Sequence, residues 1–90
     1  MGFLGAGRMG TVSRFGVKLR VLRKQRGMTQ QMLAELLGYT SRSYLSEVEK
    51  GRKEPSVPLV LAVADLFSVT TDQLLRDNIT VEGEEDAIFY

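Results

Sequence analysis

Cysteine and histidine are both absent from these 90 residues. Without cysteine there is no disulfide and no thiolate zinc site. Without histidine there is no imidazole to ligate a metal or to serve as a general base. A metal would have to rest on carboxylates alone, and the eleven acids are scattered along the chain. Long apolar runs are lacking as well, since nothing approaches the roughly eighteen residues that a membrane crossing needs. The N-terminus has no apolar core of a secretory signal, so the cytoplasm is the expected compartment. No nucleophile–base set and no ligand cluster can be assembled, which leaves an enzyme as the remote reading.

What is present bounds the answer further. Ninety residues allow one domain, and 43% hydrophobic content permits a modest core. Such a core gives marginal stability without a partner. The net charge of +1 conceals a division. Residues 1–53 hold eleven Lys or Arg against three acids, a net of +8. Residues 54–90 hold only Arg76 against eight acids, a net of −7. A solubility pattern would intersperse the signs, whereas a nucleic-acid face backed by an acidic half would separate them.

The chain is organised around Thr29–Gly51, TQQMLAELLGYTSRSYLSEVEKG. Thr29 is suited to cap a helix, because its hydroxyl can accept from an orphan N–H of the first turn. Leu33, Ala34 and Leu37 form one apolar face. Gly38 stands where a helix stops in the left-handed conformation. Thr40 and Ser41 offer the next cap, Tyr44, Leu45 and Val48 give a second buried side, and Gly51 ends it. The spacing predicts two short helices joined by a tight turn, which other segments must cover. The outer face of the second carries Ser41, Arg42, Ser43, Ser46, Glu47 and Lys50. A structural surface helix is usually filled with alanines and Glu–Lys pairs. Short donors and acceptors with Arg at the helix start suit base edges and phosphates in a major groove instead.

These residues carry a resemblance. LRVLRKQRGMTQQMLAELLG, YLSEVEKGRKEPS and VADLFSVTTDQLL, across residues 15–75, resemble the Cro/C1-type (Xre-like) helix-turn-helix domains of phage repressors and small bacterial regulators. The resemblance implies an all-α, five-helix bundle of the lambda-repressor-like kind, with helices 2 and 3 as the helix-turn-helix. Between Gly38 and Leu45 there is one residue more than the commonest family pattern. Either the turn is longer or the recognition helix begins a residue later, so base contacts fall on Arg42 or on Ser43. The implied base readers are Arg42, Ser43, Ser46 and Glu47. The implied phosphate contacts are Gln30, Thr40, Ser41, Tyr44, Lys50, Arg52 and Lys53. Gln30 is the family's usual phosphate contact, at a helix N-terminus that favours anions. Arg52 and Lys53 precede a proline on a loop that can reach the backbone. In the family an arginine placed like Arg23 pairs with a glutamate placed like Glu49, a structural ion pair between helices 1 and 3.

Residues 1–13, MGFLGAGRMGTVS, are expected to form a flexible arm. Gly5 to Gly10 matches G-x-G-x-x-G and resembles the opening of a nicotinamide-dependent dehydrogenase. That reading requires a preceding strand, a helix opening on the glycines and an acid about twenty residues on. Four residues precede Gly5 and the first acid is Glu35, so no cofactor is implied. Arg8 and Arg14 on such an arm suit weak phosphate or minor-groove contacts.

Residues 14–77 form the predicted domain. Phe15, Leu19 and Leu22 make the buried stripe of a first helix running to Arg26, with Lys18, Arg20, Lys24 and Arg26 mostly off it. Ser56 caps a fourth helix, with Pro58 tolerable in its first turn. Val60, Leu61, Val63, Ala64 and Phe67 make that helix apolar almost all round. Thr70 and Gln73 form a capping box for a short fifth helix with Leu74 and Leu75. Apolar surface left over on helices 4 and 5 suits a homodimer, the family's usual two-fold arrangement on DNA. The acidic tail 78–90, NITVEGEEDAIFY, either adds a strand or clasp to that dimer or stays disordered.

The function expected from these residues is sequence-specific binding of double-stranded DNA by a transcriptional regulator, a homodimeric repressor or controller on a palindromic operator. The alternative is an antitoxin-type or adaptor protein of the same fold whose main partner is another protein. Neither reading calls for catalysis, a cofactor, a membrane or a small-molecule effector.

Overall fold

The computed structural model describes residues 14–84. The arm at residues 1–13, with Arg8, and the terminal residues 85–90, with Ile88, Phe89 and Tyr90, lie outside them. Five helices follow in order: α1 Phe15–Gln25, α2 Gln30–Leu37, α3 Ser43–Glu49, α4 Val57–Phe67 and α5 Thr71–Leu75. There is no strand among the described residues, and the fold is all-α.

Each boundary has a local cause. Thr29 Oγ1 accepts from the Met32 N–H at 3.0 Å and starts α2. Ser56 Oγ accepts from the Leu59 N–H at 3.2 Å and starts α4. Thr70 and Gln73 exchange the two bonds of a capping box at the start of α5. At the end of α2 Gly38 takes φ +87°, and the next N–H, of Tyr39, turns back to the Ala34 carbonyl at 2.9 Å. α4 ends without glycine: Ser68 itself adopts φ +56°.

One core joins all five helices. Phe15, Leu19, Val21 and Leu22 of α1 meet Leu33 and Ala34 of α2 and Leu45 and Val48 of α3. Leu59, Val60, Val63, Ala64 and Phe67 of α4 close it, with Leu74 of α5. Each large side chain so buried contributes roughly 1.5–3 kcal/mol relative to exposure, which is how such short helices hold together. Among the described residues no helix is long and apolar enough to cross a membrane.

Residues 78–84, read from the sequence as the start of a separate tail, pack back along α1. Val81 and Glu84 are buried. Arg14, Lys18, Val21 and Gln25 recur along one face of α1, and each meets this returning segment. Arg14 N–H donates to Asp77 Oδ1 at 3.2 Å and its Nε to Glu84 Oε2 at 2.6 Å. Gln25 Nε2 donates to the Glu82 carbonyl at 2.7 Å, and a Cβ at Gly83 would collide with Gln25. Arg14, expected to serve an arm on DNA, is thus tied to the returning segment, because two acids lie within its reach.

Lys18 departs most from its sequence reading. Expected off the apolar stripe, its side chain is fully buried. Its ammonium donates to the carbonyls of Gln73, Arg76 and Ile79, with Glu84 Oε1 at 3.8 Å. Burial lowers its pKa from the usual 10.5, against the opposing pull of Glu84 and Asp77. The three carbonyls belong to the end of α5 and the turn after it, and the Arg76 carbonyl also accepts from the Ile79 N–H at 3.1 Å.

Candidate nucleic-acid interface

α3 turns Leu45 and Val48 into the core, which fixes what it shows to the outside. Arg42 and Ser46 fall on one outer stripe, whose last member Glu49 turns in against Arg23, and Ser43, Glu47 and Lys50 fall on the next. The second stripe lines an open cleft together with Gln31, Ser41, Arg42 and Ser46. On the other side, Arg42 and Gln30 stand beside Arg23 and Lys24 at the junction of α1 with α2. Gln30, Ser41, Arg42, Ser43, Ser46, Glu47 and Lys50 are therefore brought to one contiguous surface. Lys24 joins them, a residue placed off the buried stripe of the first helix from the sequence but not named there as a DNA contact.

The start of α3 differs from expectation. Neither Thr40 nor Ser41 caps it: Arg42 occupies the N-cap position with no side-chain cap. Ser41 Oγ accepts from the Ser43 N–H at 3.3 Å, a local turn that ends on the first residue of the helix. Thr40 remains exposed in the turn.

Tyr44 also differs. Its hydroxyl donates to the Glu54 carbonyl at 3.0 Å and accepts from the Ser56 N–H at 2.9 Å. Its ring lies half-buried against Tyr39, centroids 5.5 Å apart. A phosphate oxygen needs a donor, and the one donor of this phenol is committed. Tyr44 holds the loop after α3 in place, and that loop carries Arg52 and Lys53 into solvent. Arg52 Nη1 lies 3.8 Å from Glu47 Oε2, an exposed and weak pair.

The structural ion pair is present. Arg23 Nε donates to Glu49 Oε2 at 2.8 Å and Nη2 to Oε1 at 3.0 Å, a two-pronged contact in which both side chains are nearly buried. Arg23 Nη1 donates to the Met28 carbonyl at 2.8 Å, which anchors the α1–α2 turn. Gln30 Nε2 donates to Glu49 Oε1 at 3.0 Å, and Arg42 Nη1 donates to Gln30 Oε1 at 3.1 Å. The basic half is thus smaller as a surface than as a count. Lys18 and Arg23 are spent inside, while Lys24, Arg42, Lys50, Arg52 and Lys53 stay exposed. Among the described residues no three acids cluster as a metal would require.

A capped helix, a left-handed glycine turn and a second helix showing a polar stripe define a helix-turn-helix module. A family model described as "Helix-turn-helix" matches residues 19–74. The chain belongs to the Cro/C1-type (Xre-like) helix-turn-helix family. It is 37% identical over 60 residues to the uncharacterized HTH-type transcriptional regulator YazB of Bacillus subtilis (strain 168), covering 67% of this chain and 86% of that one. It is 31% identical over 70 residues to the immunity repressor protein of Bacillus phage phi105, covering 78% of this chain and 48% of the repressor. Among solved structures it is similar to the restriction-modification controller protein C.AhdI from Aeromonas hydrophila. The TM-score is 0.61 at 35% identity, covering 70% of this chain and 94% of that one. The chain spans about half the length of several relatives that it matches.

Proposed function

We propose that this chain is a sequence-specific, double-stranded-DNA-binding transcriptional regulator, a homodimeric repressor or controller on a palindromic operator in the cytoplasm. The observation that carries the reading is the outer face of α3, polar along both stripes and flanked by exposed cations. Arg42, Ser43, Ser46 and Glu47 read base edges, Arg42 bidentate to a guanine and Glu47 accepting from a cytosine amine. Gln30, Thr40, Ser41, Lys50, Arg52 and Lys53 hold phosphates and set the register. The helix-turn-helix regulators and repressors among its relatives support the reading. No cofactor, catalysis or small-molecule effector enters the mechanism.

Homodimerisation has its own support. Val57, Leu61 and Leu75 are exposed and gather with Pro55, Val60 and Thr71 around one mainly apolar cleft between α4 and α5. A two-fold dimer reading a palindrome needs its two α3 helices about one DNA turn, roughly 34 Å, apart. The same cleft also supports the second reading, an antitoxin-type or adaptor protein with a protein partner.

The test is selection of bound duplexes from a random DNA pool at physiological salt. A palindromic motif with half-sites about one turn apart is expected. Recovery of no motif, with only weak binding that salt abolishes, would overturn the regulator reading and favour a protein partner.

A further inference from the structure

We propose that residues 77–84 are a latch on assembly: docked along α1 they hold the Lys18 side chain in place, and Lys18 holds α5 so that the α4–α5 cleft fits a second copy of this chain. The inference rests on the homodimer reading given above.

The helix α5 cannot fix its own position. It has five residues, too few to be stable alone. One side of it, Thr71 and Leu75, lines the apolar cleft with Val57, Val60 and Leu61 of α4. The other side is held from α1. Leu74 enters the core, and the Lys18 ammonium donates to the carbonyls of Gln73 and Arg76, the latter at 2.8 Å. Where α5 stands, and with it the shape of the cleft, is therefore set by Lys18.

Lys18 in turn depends on the returning segment. Its third acceptor is the Ile79 carbonyl, and the carboxylate facing it is that of Glu84, with Oε1 at 3.8 Å. A buried ammonium stripped of these groups is strongly unfavourable, so it would turn out to water and let go of the α5 carbonyls. Glu84 also serves Arg14, whose Nε donates to the other carboxylate oxygen at 2.6 Å. One carboxylate thus closes the segment over two cations of α1.

The segment is built to open by itself. Its one deeply buried aliphatic side chain is Val81. The rest of its hold is polar: the Val81 N–H donates to Glu84 Oε1 at 3.0 Å, the Glu84 N–H returns to the Val81 carbonyl, and Gln25 Nε2 donates to the Glu82 carbonyl. A segment with so little apolar burial opens at far lower cost than the core. The recognition helix is insulated from that event. α3 meets α1 through Gly16 and Arg23, whereas Arg14, Lys18, Val21 and Gln25 lie on the opposite face of α1. Opening therefore weakens pairing and leaves α3 as it was. Lys18 and residues 77–84 both lie outside the stretch 19–74 that the family model matches.

The experiment uses the 90-residue protein carrying Gly83→Ala, Glu84→Gln, Lys18→Met, or Lys18→Met with Glu84→Gln. Gly83→Ala touches no charge: it strains a residue at φ +91° and drives a methyl against the Gln25 amide. Sedimentation equilibrium gives the dimer Kd, and thermal melts fix a temperature at which every variant is folded. Amide hydrogen exchange, followed below the parent's dimer Kd, reports opening of residues 77–84, of α5 and of α3 separately. Each single variant is expected to raise the dimer Kd about tenfold, within the usual range for coupled sites. Exchange should quicken in residues 77–84 and α5 together, with α3 unchanged. In the Lys18→Met background Glu84→Gln should add no further loss of pairing. An unchanged dimer Kd while residues 77–84 open would overturn the proposal, and so would full additivity of Lys18→Met and Glu84→Gln. Exchange quickening equally in α3 would overturn it too, leaving the segment a general stabiliser. A parent that sediments as a monomer at every concentration would overturn it through the homodimer reading instead.

Discussion

Gly16 on α1 lies so close to Val48 on α3 that a Cβ there would meet the Val48 carbonyl oxygen at 2.4 Å and the Glu49 carbonyl oxygen at 2.7 Å. Both obstacles are backbone, so no rotamer change relieves them. Gly16→Ala would gain up to about 1 kcal/mol of helix propensity. Overpacking of this kind costs typically 1–3 kcal/mol, and more when backbone must move. The clash should win, with a lower melting temperature and α3 displaced from α1. A variant that melted at or above the parent temperature would show that the two helices separate freely.

Arg23 and Glu49 make a pair whose loss on one side is expensive. Arg23→Ala or Glu49→Ala should destabilise by roughly 3–5 kcal/mol, because the partner stays buried and unpaired. Replacing both by apolar residues of similar volume should recover much of that. Urea denaturation of the singles and the double measures the coupling, and strict additivity would contradict it.

Lys18→Met removes the donor to three carbonyls while sparing the cost of burying an ammonium. The net loss should be roughly 2–4 kcal/mol. The pH dependence has a definite sign. The folded pKa of Lys18 lies below its ordinary 10.5, so between the two values the unfolded chain binds more protons. Stability contributed by this group therefore rises with pH in that window. The stability difference between parent and Lys18→Met should widen as the pH approaches 10.5. A difference that narrowed would mean that the carbonyl bonds outweigh desolvation.

Lys53→Ala should weaken binding to every sequence alike and reduce the salt slope by about one. Arg42→Ala should instead cost roughly 1–3 kcal/mol at the selected site and relax a single base position. Affinity measured over several salt concentrations separates the two patterns. If the patterns were exchanged, the assignment of base reader and phosphate contact would have to be exchanged as well.

Leu61→Glu places a charge in the exposed apolar cleft between α4 and α5. If that cleft is the dimer interface, sedimentation should show the variant dissociating at concentrations where the parent is paired. Leu61 is half exposed, 52%, so the isolated fold should melt almost unchanged. Identical sedimentation of the two proteins would remove this cleft from the assembly.

Much of this was legible because it depends on neighbours in the chain. The caps at Thr29, Ser56 and Thr70 and the stop at Gly38 follow from side chains bonding within three or four residues. The same locality made the polar face of α3 readable, since Leu45 and Val48 decide which stripes point outward. Legibility failed where two options were locally equivalent. Thr40, Ser41 and Arg42 could each have opened α3, and the Ser41–Ser43 turn chose among them. Tyr44 could have faced phosphate or loop, and the folding back of Glu54 and Ser56 claimed its hydroxyl.

The order of the elements, the caps of α2, α4 and α5, the polar outer face of α3 and the membership of a helix-turn-helix family were determined by the sequence itself, because each rests on short-range bonding or on periodicity. Tertiary structure alone decided what became of the charges. Lys18 and Lys24 lie on the same helix, α1, and are chemically the same, yet one is buried under three carbonyls and the other stands in solvent beside Gln30. Nothing in their local spacing distinguishes the two. The difference is made by residues 77–84 returning across one face of α1. Packing there gathers three carbonyls around the Lys18 ammonium, and its desolvation is tolerated because it donates to all three.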